Sequence, residues 1–209
     1  MSDVSDVSKC AFRERERALA ESQFTGVLRQ ILDSDHLDDN QLGPGFAGSS
    51  GFSVIFRPSA AGEEVRRAFP GFSPYLEQAL VASCNACYLN ALVVEPGSSV
   101  GAHADTSLSG YCGARVHPRW VSVLYLAVPD DPRSGLLVLR DGRRKIATIT
   151  PEINTLLWFR GDLVHSVTRI RGQTPRISLV CEQYTLAPEQ LARVPVMAVD
   201  SRAMTRSSA

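Results

Sequence analysis

The sequence predicts an α+β fold, mainly β, with helical segments first and an antiparallel sandwich or barrel after them. The prediction rests on a change of character at Asn85. Before it, apolar residues recur at helical spacing. After it, short apolar runs follow one another, separated by turn sequences such as EPGSS, PDDPRSG, RDGRR, FRGD and RGQTP. At 209 residues, with 44% hydrophobic and 21% charged residues, the chain can bury a full core without disulfides or structural metal.

Residues 10–33 (CAFRERERALAESQFTGVLRQILD) carry Leu19, Phe24, Val27, Leu28, Ile31 and Leu32 at helical spacing and read as an amphipathic helix. Residues 33–50 are polar and rich in Gly and Ser, which reads as a long loop. A short strand follows over Phe52–Phe56. Gly62–Ser83 reads as two helices broken at Pro70, the second capped by Ser73 ahead of Pro74. Strands are then expected over Ala86–Val94, Trp120–Val128, Leu136–Leu139, Lys145–Ile149, Thr155–Phe159, Val164–Ile170 and Arg176–Leu186. Residues 187–209, with Pro, Arg and Ser, read as a loosely held tail. The expected organisation is one domain: a helical extension over 1–84, a β core over 85–186 and a tail over 187–209.

Lys and Arg number 22, as do Asp and Glu, so net charge gives no reason to expect nucleic acid or an anionic membrane as partner. No apolar stretch is long enough to span a bilayer, and MSDVSDVSKC lacks the pattern of a signal peptide, so a cytoplasmic location is expected. Five cysteines, an odd number without an export signal, favour free thiols. Cys84 and Cys87 form a CxxC, but no second pair stands at zinc-ribbon spacing, and strand rather than helix follows; a structural or incidental role is expected.

The β half contains GAHADTS, in which His103 and Asp105 are two apart. On an extended strand such residues face the same way, so an imidazole nitrogen and a carboxylate oxygen can converge on one ion. FRGDLVHSV offers His165 as a third ligand, 62 residues on (165 − 103 = 62). Two histidines and one carboxylate leave three positions open for oxygen and a chelating cosubstrate, the arrangement of non-haem iron(II) oxygenases; structural zinc closes its shell with four protein ligands. An HxD alone, or a lone histidine, is more often incidental. The combination, in a β-rich domain, points to the metal.

Arg176 comes 11 residues after His165 (176 − 165 = 11), within TPRISLVCEQYTL. If RGQTP turns the chain back antiparallel, Arg176 points into the barrel. There its guanidinium matches the distal carboxylate of a dicarboxylate such as 2-oxoglutarate, whose other end chelates iron. Ser178 faces the same way and can add a hydroxyl. A single strand arginine more often faces water, whereas a buried one without an anion is costly.

These residues resemble the 2-oxoglutarate/iron(II) dioxygenase superfamily, specifically its prolyl-4-hydroxylase-like branch. The resemblance runs from Asn85 to Leu186 through VVEPGSSVGAHAD, VSVLYLAV, SGLLVL, ITPEINTLLWF, GDLVHSVTRI and PRISLVCEQY, in that order. It implies a double-stranded β-helix (a jelly-roll, cupin-like barrel) with N-terminal helices packed on one sheet. It implies that His103, Asp105 and His165 bind Fe(II) and that Arg176 binds the 5-carboxylate of 2-oxoglutarate. Tyr125 stands where such proteins often place a tyrosine reaching that carboxylate, with a core aromatic as the equal alternative; Asn90 and Tyr88 are weaker candidates for cosubstrate contact. The implied reaction is O2-dependent hydroxylation of a C–H, with succinate and CO2 as co-products and ascorbate as a candidate reductant. Glu95 departs from the aromatic that relatives carry before Pro-Gly, Arg176 from their frequent lysine, and Ser134-Gly135 from their paired glycine. Retention of Asp105 leaves no vacancy for halide and favours hydroxylation.

Residues 106–118 (TSLSGYCGARVHP) and 33–50 are the expected lid segments. Arg115, His117 and Arg119 are candidates to meet a substrate carboxylate, with an exposed basic loop as the alternative. The small size favours a small-molecule substrate, such as an amino acid or biosynthetic intermediate, over a peptidyl one. A cupin-like metal-binding protein without 2-oxoglutarate turnover is the rival from another class, and Arg176 argues against it. Nucleic-acid demethylation is disfavoured by the neutral charge.

Overall fold

A computed structural model describes residues 10–39 and 44–200. A large and a small antiparallel sheet share a core, and helices cover the outer face of the large sheet. The large sheet runs β1 (Phe12–Arg15), β9 (Leu156–Arg160), β6 (Trp120–Ala127), β11 (Arg176–Tyr184), β4 (Ala86–Val94), β3 (Ser49–Phe56) and β12 (Met197–Asp200), with β2 (Asp38–Asp39) also paired to β3. The small sheet runs β5 (Val100–His103), β10 (Val164–Val167), β7 (Leu137–Asp141) and β8 (Arg144–Ile149).

Every residue of β4 is buried, because the large sheet is covered on both faces. Its side chains alternate between the two sides with period two. Leu89, Ala91 and Val93 join Val27 and Ile31 of α1 (Glu21–Leu32), Val65 of α2 (Pro58–Ala68) and Tyr75 and Leu76 of α3 (Ser73–Ala79). Leu92 and Val94 turn inward to meet Val100, Leu137, Leu139 and Val167 of the small sheet. Each such apolar side chain contributes roughly 1.5–3 kcal/mol on burial. This second core holds the site.

The helix expected over 10–33 divides in two. Residues 21–32 are helical, but 12–15 form edge strand β1, pairing Phe12 with Phe159 and Arg15 with Leu156. The guanidinium of Arg13 lies 4.3 Å from the Trp158 ring centroid. An open sheet edge and this cation–π contact override the helix propensity of FRERER. Arg17, in a left-handed conformation (φ 48°), separates the two elements. The second correction concerns Ser73, which is the first residue of α3 rather than its cap: a 3-10 turn over Pro70–Phe72 runs directly into the helix. Within 33–50, β2 and a 3-10 turn at Pro44–Phe46 interrupt the expected loop; residues 40–43 lie outside the described residues. The tail also departs from expectation: Pro188–Leu191 form a short helix, and β12 pairs with β3 through Met197–Phe56 and Asp200–Ser53. The rest of that segment, 201–209, lies outside the described residues. No helix among the described residues is long and apolar enough to cross a membrane.

Candidate metal centre and cosubstrate cavity

Strands β5 and β10 pair so that His103 stands directly opposite His165. The imidazole centroids lie 4.3 Å apart. β5 ends at His103, so Asp105 is not on the strand, as two-residue alternation suggests, but just past its end. There its Oδ1 lies 3.4 Å from His103 Nε2 and 3.6 Å from His165 Nε2. One ligand atom from each of the three residues falls within 4.8 Å of the others, a group able to hold a metal ion.

Both imidazoles are held from behind. His103 Nδ1 sits 2.8 Å from the Gly101 carbonyl and His165 Nδ1 3.2 Å from the Leu163 carbonyl. A carbonyl can only accept, so each Nδ1 carries the proton and each Nε2 presents its lone pair. Burial lowers the pKa of His165, only partly offset by Asp105, which keeps the ring neutral and ready to ligate. For His103, burial acts in the same direction but is outweighed by Asp105 and the Gly101 carbonyl, and the pKa is raised. Burial pushes Asp105 upward, yet His165 and His103 prevail and hold the carboxyl below its ordinary value. The glycine in FRGD has a packing reason: a Cβ on Gly161 would fall 2.1 Å from the Pro118 carbonyl oxygen.

On β11, residues 176, 178, 180 and 182 share the inward face, while Ile177, Leu179 and Cys181 pack under the helices. Arg176 is only 2% exposed, lines the same cavity as the triad and has no ion-pair partner among the described residues. Its guanidinium carbon lies 5.0 Å from the Tyr125 ring centroid. Ser178 pairs with Tyr125 across β11 and β6. Among the described residues, Arg176 Nε, Tyr125 Oη and Ser178 Oγ are all buried without a hydrogen-bond partner, as is Asp105 Oδ2. Burial raises the Tyr125 pKa, and the nearby Arg176 charge opposes that rise, although the two groups make no well-formed hydrogen bond. Each such orphan costs about 1–3 kcal/mol. Three donors abandoned at one place, around a buried cation, fit a carboxylate that would take all three.

Asn90 also lines the cavity, opposite Val180. With its amide nitrogen toward the Phe52 and Ala91 carbonyls (3.1 and 3.2 Å), it ties β4 to β3. Leu92, Val121, Val123 and Val180 supply much of the remaining wall, which is apolar except where Glu182 reaches it. Arg115, His117 and Arg119 do not line the cavity; all three are exposed, and His117 Nδ1 instead lies 3.0 Å from the Asp105 carbonyl. The five cysteines are free.

Glu182 was not anticipated. It is buried beside the triad and accepts hydrogen bonds from Ser107 Oγ (2.6 Å), Ser107 N (3.4 Å) and the Tyr184 hydroxyl. Burial first, then the Asp105 charge, raise its carboxyl to about 8. Parity was the available signal: counted from Arg176, Glu182 falls on the inward face of β11.

No family model matches the chain, and no curated protein matches it in sequence. Solved structures do. A prolyl-4-hydroxylase from Pseudomonas putida superposes with a TM-score of 0.58 at 16% identity, covering 88% of this chain and 97% of that one. A prolyl hydroxylase from Trichoplax adhaerens, solved with a hypoxia inducible factor peptide, gives 0.55 at 17% identity over 87% and 86%. HygX from Streptomyces hygroscopicus, with nickel and 2-oxoglutarate bound, gives 0.55 at 13% identity over 86% and 85%. The chain has the fold of the 2-oxoglutarate/iron(II) oxygenases. At these identities the likeness speaks for the fold, and the chemistry has to be argued from the site.

Proposed function

We propose that the chain is an Fe(II)- and 2-oxoglutarate-dependent dioxygenase that hydroxylates a C–H of a small molecule. One observation carries this reading: a group of two histidines and an aspartate shares a cavity with a buried arginine that has no counter-anion among the described residues. A cupin-like binding protein with no dicarboxylate to hold has no use for that arginine. The two sheets correspond, in this reading, to a double-stranded β-helix, and the free cysteines suit a cytoplasmic setting.

His103, Asp105 and His165 hold the iron. Iron(II), with 2-oxoglutarate and O2, supplies the oxidising power, and 2-oxoglutarate leaves as succinate and CO2. The protein does the positioning. Arg176, Tyr125 and Ser178 would take the distal carboxylate through charge-assisted hydrogen bonds, and Asn90 lines the same cavity. Leu92, Val121, Val123 and Val180 exclude water, which strengthens those bonds and protects the reacting centre. The Gly101 and Leu163 carbonyls keep both imidazoles in the ligating tautomer.

The test is anaerobic reconstitution with Fe(II) and 2-oxoglutarate. A weak visible charge-transfer band is expected when both are present and with neither alone. Pure, folded protein that binds iron yet gives no band would remove the cosubstrate from the assignment.

A further inference from the structure

Of the three residues in the triad, Asp105 has the least support from its own strand. His103 and His165 face each other across the β5–β10 ladder, and each imidazole has a carbonyl behind it. Asp105 lies two residues beyond the end of β5. Its Oδ1 faces the two imidazoles, and among the described residues its buried Oδ2 has no hydrogen-bond partner. The carboxylate is therefore aimed by its backbone, and a loop backbone is a less exact mount than a strand.

That backbone is fastened on both sides. The Asp105 carbonyl lies 3.0 Å from His117 Nδ1. Two residues on, Ser107 donates twice to Glu182, from Oγ to Oε1 at 2.6 Å and from its backbone N to Oε2 at 3.4 Å. Glu182 sits on β11, between β4 and β6, so this contact ties the loop to the middle of the large sheet. Tyr184, on the same face of β11, bonds Oε2 through its hydroxyl and is fully buried. The segment beyond Ser107 has supports of its own. Leu108 is buried in one cluster with Tyr184, and the Thr106 carbonyl accepts from Ser109 N at 2.9 Å as the short helix Ser109–Cys112 begins.

Packing alone does not explain a glutamate at 182. The preceding residue on the inward face is Val180, and an apolar side chain could be buried there at no cost. A carboxyl taken out of water costs stability unless it is hydrogen-bonded, and two of the three hydrogen bonds of Glu182 come from Ser107. The contact needs no charge: Oε1 accepts from Ser107 Oγ whether or not the other oxygen carries a proton. Asp105, Ser107 and Glu182 also line an outer chamber of about 370 Å³ that adjoins the triad.

We infer that Glu182, oriented by Tyr184, is a positioning residue that fixes the metal-binding pose of Asp105 by fastening Ser107. This rests on the proposed oxygenase reading and adds to it the outer end of β11, which no ligand has to touch.

The experiment is calorimetry of the metal-free full chain with Ni(II), which binds nitrogen and oxygen donors more tightly than Fe(II) and needs no exclusion of air. Melting temperatures are measured beside it. Ser107→Ala and Glu182→Leu should each weaken Ni(II) about tenfold or more. Glu182→Gln keeps an acceptor for Ser107 Oγ and should stay within about threefold of the unmodified chain. In an Asp105→Ala background no carboxylate remains to be aimed, so Ser107→Ala should there cost nothing further. Unchanged Ni(II) affinity in Ser107→Ala with a lowered melting temperature would make the contact merely structural and overturn the inference. So would a repeated tenfold loss in the Asp105→Ala background, or a Glu182→Gln chain as weak as Glu182→Leu. If Glu182→Leu does not fold, Ser107→Ala, which removes a single half-buried hydroxyl, carries the test. The charge-transfer band of the unmodified chain is scored separately: its absence removes the oxygenase reading, while the Ni(II) titrations still decide the role of Glu182.

Discussion

The two ends of β11 face the same cavity with opposite chemistry. Among the described residues, Arg176 at one end is a buried cation without an anion, and Glu182 at the other is a buried carboxyl without a cation. They are six residues apart on one face of a strand, roughly 20 Å at about 3.3 Å per residue. The ends differ in how far the protein satisfies them. Glu182 has Ser107 and Tyr184 as donors, whereas Arg176 is surrounded by further donors that are themselves orphaned. An end saturated by the protein's own groups stands without a ligand. The other is built for a group that comes from outside.

The largest expected effect is at the centre between these ends. His165→Ala should abolish the charge-transfer band and succinate formation, because Asp105 and His103 cannot hold the ion alone. Retention of either signal would show that the metal sits elsewhere.

Next comes Arg176→Met, with effects expected in opposite directions. Affinity for 2-oxoglutarate should fall about 100-fold or more, since the lost contact is a buried charge pair. The ligand-free protein should become more stable by about 1–4 kcal/mol, because an uncompensated buried charge gives way to a shape-compatible apolar chain. Denaturant titration without cosubstrate, paired with a 2-oxoglutarate titration of the band, measures both. A destabilised variant with unchanged cosubstrate affinity would make Arg176 a structural residue. Tyr125→Phe is the gentler version: it removes one orphaned hydroxyl and should weaken 2-oxoglutarate about tenfold.

The inner end was more legible in the sequence than the outer one. His103, Asp105, His165 and Arg176 lie in short segments whose residue types have few alternative uses together, and antiparallel strands convert linear spacing into facing positions. Ser178 followed from parity with Arg176. Asp105 lies beside both imidazoles, but not through strand alternation, since the strand stops two residues before it. The outer end is assembled from β3, β4, β11, β12, the segment from His103 to Tyr111 and the turn at Phe46, and no local pattern joins six segments so far apart. Arg115 and Arg119 drew attention by their charge, but their segment turns them to solvent. Near the N-terminus, FRER became a strand because β9 offered an unpaired edge, a tertiary fact that propensity does not contain.

The smallest effect concerns pH and isolates the outer end. The Glu182 carboxyl, ordinarily near 4.5, stands at about 8 in the folded chain, chiefly through burial and then through Asp105. Below the unfolded value both states hold the proton, and this residue's contribution to stability is fully present. Between that value and about 8 the unfolded chain releases its proton while the folded chain keeps it, so rising pH favours unfolding; above about 8 the contribution is gone. The melting temperature of the metal-free protein should therefore decline from pH 6 to 8.5 more steeply than that of Glu182→Gln, and the two curves should converge toward acid. A divalent ion at the triad should flatten the slope of the unmodified protein, because it offsets the Asp105 charge while leaving burial in place. Parallel pH profiles for the two proteins would mean that the carboxylate is already compensated, and the contrast between the ends of β11 would disappear.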